Sequence, residues 1–134
     1  MLSADQDVPK WLIKSCVRYL EMFRLHEWEI RLVLQDTPGN DENTEGICMS
    51  DPSTMTARIE ISRAVIQDKV KAKQTVFHEV LHLILAPLQD TQYRLIELLE
   101  YDGQKRDLYG KWFDDLVERV IRRLENSLYS ELNG

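Results

Sequence analysis

His78 and His82 stand four residues apart, with Glu79 directly after the first, in the run Gln74-Thr75-Val76-Phe77-His78-Glu79-Val80-Leu81-His82. On a helix this spacing stacks the two imidazoles on one face, one turn apart. Two imidazole nitrogens presented in that way can bind one metal ion. Zinc is the expected ion, because neutral imidazole suits it and it accepts the open coordination that hydrolysis needs. Glu79 would flank the ion without ligating it, take a proton from an activated water and later deliver it to a leaving amine. The expected chemistry is therefore peptide-bond hydrolysis, with Glu79 as general base and no covalent enzyme intermediate. The chain has three histidines, two of which form this motif. Around them Val76, Phe77, Val80, Leu81, Ile84 and Leu85 make an apolar helix, in which histidines require partners.

A third ligand is needed. No His-x-x-Gly-x-x-His continuation follows His82, so the chain departs from the metzincin pattern. His26, the remaining histidine, precedes the first expected strand and is assigned to the surface. An acid from a later helix is the better expectation. Glu118 lies at the margin of an apolar stripe in Asp114-Asp115-Leu116-Val117-Glu118-Arg119-Val120-Ile121 and is placed first. Asp114 and Glu125 share its flank, and Glu97, Glu100 and Asp102 lie closer in sequence to His82. The expected metal set is His78, His82 and Glu118.

The elements that must position these groups can be read from periodicity. Val8 to Leu25 is an amphipathic helix, with Val8, Leu12, Cys16, Leu20 and Phe23 on one stripe. Glu27 to Gln35 switches to period two: Trp28, Ile30, Leu32 and Leu34 alternate with Glu29, Arg31, Val33 and Gln35. Asp36 to Glu45 is a polar loop. Its acids do not match a calcium-binding EF-hand pattern. Ile47 to Ser50 and Met55 to Ile61 are two further strands joined by a turn at Asp51-Pro52-Ser53-Thr54. A helix from Lys69 to Leu85 carries the histidines and is expected to end at Pro87. A shorter helix spans Thr91 to Tyr101, and a last one runs from Leu108 or Lys111 to Leu132. The order gives an α+β fold: one domain over residues 1–134 with an N-terminal helix, a small three-stranded sheet, the motif helix and a long C-terminal helix.

Composition narrows the function classes. With 134 residues there is room for one ordinary domain and its core. Hydrophobic residues at 43% and charged residues at 30% fit a soluble globular chain. A net charge of −6 argues against a non-specific nucleic-acid binder, which needs a basic face. No run is apolar enough to span a bilayer and no signal peptide is evident, so the expected location is cytoplasmic. Cys16 and Cys48 lack the number and spacing of a disulfide framework and are read as buried thiols.

The chain resembles the small zincin-type metallopeptidases of phage and prophage genomes, similar in plan to minimal gluzincins. The resemblance rests on Trp28-Glu29-Ile30, a strand before the motif helix, His78 to His82, and Glu118 to Leu124 in the last helix. It implies a zincin-like fold and a downstream glutamate as third ligand, which agrees with Glu118. It also implies that a peptide or protein substrate pairs with an edge strand, here Met55 to Ile61, in a mode that gives affinity with little sequence selectivity. A tyrosine or histidine often steadies the oxyanion in such enzymes; Tyr93, Tyr101, Tyr109 and His26 are the candidates. The rival expectation is a phage or mobile-element regulatory protein with a structural or vestigial zinc site. A nucleic-acid-associated protease is a weaker third, resting on Lys69, Lys71 and Lys73. Arg119, Arg122 and Arg123 are read as the solvent face of the last helix.

Overall fold

The computed structural model describes residues 1–98 and 103–133, the last three by backbone alone. Its order is β1 (Leu2–Ala4), α1 (Lys10–Met22), β2 (Glu29–Gln35), β3 (Gly46–Asp51), β4 (Thr56–Ser62), α2 (Lys69–Leu98) and α3 (Gly103–Asn133). This is an α+β arrangement. The sheet has four strands rather than three, in the order β1-β2-β4-β3. β1 pairs parallel to β2, β2 parallel to β4, and β3 antiparallel to β4. β1 is too short to carry a readable period. It is held by pairing with β2, reinforced by the Met1 amine donating to the Trp28 carbonyl at 2.7 Å.

Alternation within the strands sets the core as expected. Ile30, Leu32, Ile59 and Ile61 are buried, and they join Leu12, Cys16 and Tyr19 of α1 and Val76, Phe77, Val80 and Leu81 of α2 in one cluster. Tyr19 meets Phe77 edge-on at 5.1 Å between ring centroids. Val33 and Glu60, opposite each other in the β2–β4 register, face the other way and are also buried. There the Pro38–Asn40 turn supplies cover, and the Gly39 N–H donates to Glu60 Oε1 at 2.9 Å.

The topology corrects one expectation directly. The Met55 to Ile61 segment is not an edge. As β4 it lies between β2 and β3 and pairs on both sides, so its backbone is spent within the sheet. The open edge on that side is β3. The Ser62 N–H donates to the Glu45 carbonyl at 2.8 Å, which makes that pair hydrogen-bonded. Antiparallel alternation then turns the backbone groups of Gly46, Cys48 and Ser50 away from β4. Gly46 also allows a close approach: a Cβ there would lie 2.7 Å from the Thr75 methyl of α2.

α2 starts where Asp68 caps it, with its Oδ1 accepting from the Lys71 N–H at 3.2 Å. It does not end at Pro87 but continues to Leu98, absorbing the described part of the separate helix expected from Thr91 to Tyr101. An interior proline costs about 3 kcal/mol in a helix. Packing against α3 supplies the offset, because the two helices run as an antiparallel pair. Tyr129 packs on Phe77 and donates to the Val70 carbonyl, Glu125 reaches His78, Glu118 reaches His82, and Phe113 and Asp114 meet Tyr93. No helix among the described residues is long and apolar enough to cross a membrane.

Candidate metal centre

The helix pair explains how groups far apart in sequence converge. His78 and His82 share one face of α2, their ring centroids 5.3 Å apart. Across from them α3 presents Glu118, whose carboxylate spans both rings. Glu118 Oε1 is 2.9 Å from His82 Nε2 and Oε2 is 3.4 Å from His78 Nε2. The three donors lie within 4.8 Å of one another and could hold a metal ion. A tetrahedral zinc site with bonds of 2.0–2.1 Å separates its ligand atoms by roughly 3.3 Å. A Glu118 oxygen lies near that distance from each imidazole, and the donor set could hold a small cation.

Glu125, seven residues beyond Glu118 and so on the same face of α3, has a different task. Its Oε1 lies 2.9 Å from His78 Nδ1. A carboxylate there fixes the tautomer with the proton on Nδ1, leaves the Nε2 lone pair for a metal, and raises the ring's basicity. In such a site Glu125 would position His78 rather than serve as the third ligand. Glu125→Gln is expected to weaken metal affinity by roughly 10–100-fold while the chain still folds. Titration with a competing chelator would measure it, and unchanged affinity would remove Glu125 from the site.

Glu79 is buried against the sheet, just outside the donor set. Its Oε1 is 4.0 Å from His82 Nε2, and its side chain is 7% exposed. The Cys48 N–H, turned outward by the β3 register, donates to its carboxylate. Burial pushes the Glu79 carboxyl up to about 7, and the charges of Glu118 and Glu125 add to the rise. His78 and the Cys48 N–H oppose it. A carboxyl poised near neutrality beside a metal site suits a proton shuttle. Burial also holds the His82 imidazole below its ordinary range, against the pull of Glu118, which favours the neutral ring that a metal needs. Burial likewise drives the Cys48 thiol well above its usual range, which disfavours the thiolate.

An open cleft of about 420 Å³ adjoins this group, lined by Glu45 and Gly46 beside the β3 edge, Lys71 and His78 of α2, and Arg122 and Glu125 of α3. The other acids considered from sequence lie elsewhere. Asp114 accepts from Tyr93 Oη and, at 2.9 Å, from Gln89 Nε2; Glu97 lines a separate cleft with Arg106 and Lys111. His26 is exposed in the turn between α1 and β2, and Tyr109 stacks edge-on against Trp112. None of His26, Tyr93 and Tyr109 lines the cleft beside His78. Glu100, Tyr101 and Asp102 lie outside the described residues. Arg122, read from sequence as part of a solvent face, is exposed and also lines the cleft. The signal was its position four residues after Glu118 and three before Glu125. No protein-family model, curated protein or solved structure matches this chain.

Proposed function

We propose that the protein is a zinc-dependent peptidase in which His78, His82 and Glu118 hold the metal and Glu79 is the general base. The observation that carries this reading is the placement of Glu79. It is a buried carboxyl raised to about 7, next to the three donors but not one of them. A purely structural site has no use for such a group, since structural zinc is closed by four protein ligands. Among the described residues the donor group numbers three, and an open cleft lies beside it.

Zinc bound there would supply Lewis acidity, polarising a scissile carbonyl and lowering the pKa of water. The chain's own residues do the rest. Glu79 accepts a proton at its carboxylate and returns it to the departing amine. Glu125 holds His78 in the ligating tautomer. The open backbone groups of β3 offer an extended peptide a strand to pair with, in place of the interior β4. The Cys48 N–H is engaged by Glu79, which leaves Gly46 and Ser50 for that pairing.

The test is metal removal. Purified protein loaded with one zinc per chain is expected to cleave an unfolded protein substrate at peptide bonds. It should lose that activity in excess chelator and recover it on zinc addition. Stoichiometric zinc without cleavage across a broad peptide library would reject the peptidase. A second reading, a regulatory protein with structural zinc, draws on the exposed Leu88, Leu95, Trp112 and Leu116 of the helix pair, a surface of the kind that partners cover.

A further inference from the structure

The α3 face that meets the metal centre repeats at helical spacing: Glu118, Arg122, Glu125. The two acids are committed, Glu118 to His82 at 2.9 Å and Glu125 to His78 Nδ1 at 2.9 Å. Arg122, between them, is exposed and lines the cleft beside His78 and Glu79. Lys71 is the other cation on the cleft wall, and it is paired with Glu45 at 2.7 Å. Arg122 makes no ion pair or hydrogen bond with any described residue. Glu125, the acid three residues on, turns to His78 instead. One guanidinium is therefore left with its fork of donors open to the cleft.

We propose that Arg122 binds a carboxylate of the peptide substrate and makes the site selective for an anionic group close to the scissile bond. This rests on the peptidase reading above. Guanidinium geometry matches a carboxylate in a bidentate fork, which a lysine ammonium does not reproduce. Reach sets the position. Residues four apart on a helix have Cβ atoms roughly 5–6 Å apart, and an extended peptide advances roughly 3.3 Å per residue. A carboxylate one or two residues from the reacting carbonyl falls within range of Arg122. Two sources carry that chemistry: the free C-terminus of a short peptide, or an aspartate or glutamate side chain within a longer one.

The experiment uses binding, so it does not depend on turnover. Three hydroxamate-capped alanine peptides are titrated into zinc-loaded protein: one with a free C-terminal carboxylate, one amidated, and one amidated with an aspartate replacing an alanine. The expected result is that at least one carboxylate-bearing probe binds about tenfold or more tighter than the neutral amide, the size of a charge-assisted hydrogen-bonded pair. Whichever anionic probe wins identifies the source. In Arg122→Ala the preference should fall to within about twofold, and Arg122→Lys should retain part of it. Equal binding of all three probes, or a preference that survives Arg122→Ala, would overturn the proposal. Zinc content, measured alongside, separates the failures. Loss of zinc from the wild-type chain would defeat the metal centre itself, whereas full zinc with flat preferences would defeat only the role of Arg122.

Discussion

His82→Ala is expected to lose stoichiometric zinc while keeping its fold, and His78→Ala should do the same. Zinc-finger sites gain roughly 10–16 kcal/mol from about four ligands, so each ligand carries on the order of a hundredfold to a thousandfold in affinity. Glu118→Ala should weaken binding on a similar scale, because its carboxylate is the only acidic group among the described residues within the donor cluster. A thermal readout accompanies the metal assay. Zinc at 100 times its dissociation constant stabilises the native chain by about 2.7 kcal/mol. That gain should fall to about 0.4 kcal/mol or less in all three variants at the same zinc concentration. One zinc per chain with unchanged affinity in both histidine variants would place the metal elsewhere.

The legibility of this site divides along a physical line. His78, Glu79 and His82 sit within one and a half turns of one helix, where local spacing alone fixes their relation. Glu118 belongs to another element, and its position depends on the register of α2 against α3. That register could not be read from periodicity, because Pro87 argued for a break where the helix continues. Once α2 runs to Leu98, the described residues between His82 and Glu118 form the far end of an antiparallel helix pair. The partner of His78 Nδ1 follows from the same register, two turns along α3. Glu125 was visible as an acid on the right flank; the atom it would meet was not.

The strands show a similar split. Which residues of β2 and β4 face the core follows from alternation, and Ile30, Leu32, Ile59 and Ile61 are buried accordingly. Strand order is a tertiary matter. Met55 to Ile61 directly precedes the motif helix in sequence, yet the parallel pairing of β2 with β4 puts it inside the sheet and moves the open edge to β3. β1 has three residues, fewer than two full periods of alternation, so only its partner strand defines it.

Glu79→Gln should reduce peptide hydrolysis by roughly a hundredfold to ten-thousandfold, the usual contribution of a general base, with zinc occupancy retained. The same substitution should make the metal-free protein more stable at neutral pH. Burial raises the Glu79 carboxyl from an ordinary 4.5 to about 7, so the native state holds its proton more tightly than the unfolded chain does. Between those pH values the native state binds more protons. Its stability therefore falls as pH rises from 4.5 to 7, by about 3 kcal/mol in total for this group. Glutamine can still accept the Cys48 N–H and carries no charge to desolvate, so the variant lacks that loss. Denaturant unfolding in excess chelator should show the two proteins closest near pH 4.5 and the variant ahead by the full difference above pH 7. Added zinc should narrow the gap, because a cation beside Glu79 favours its ionised form. A difference that does not change with pH would mean that Glu79 is not the group whose burial sets the slope. The pH dependence and the lost hydrolysis share one cause: the sheet that shields Glu79 from water raises its proton affinity toward the range a base needs, at the expense of the metal-free fold.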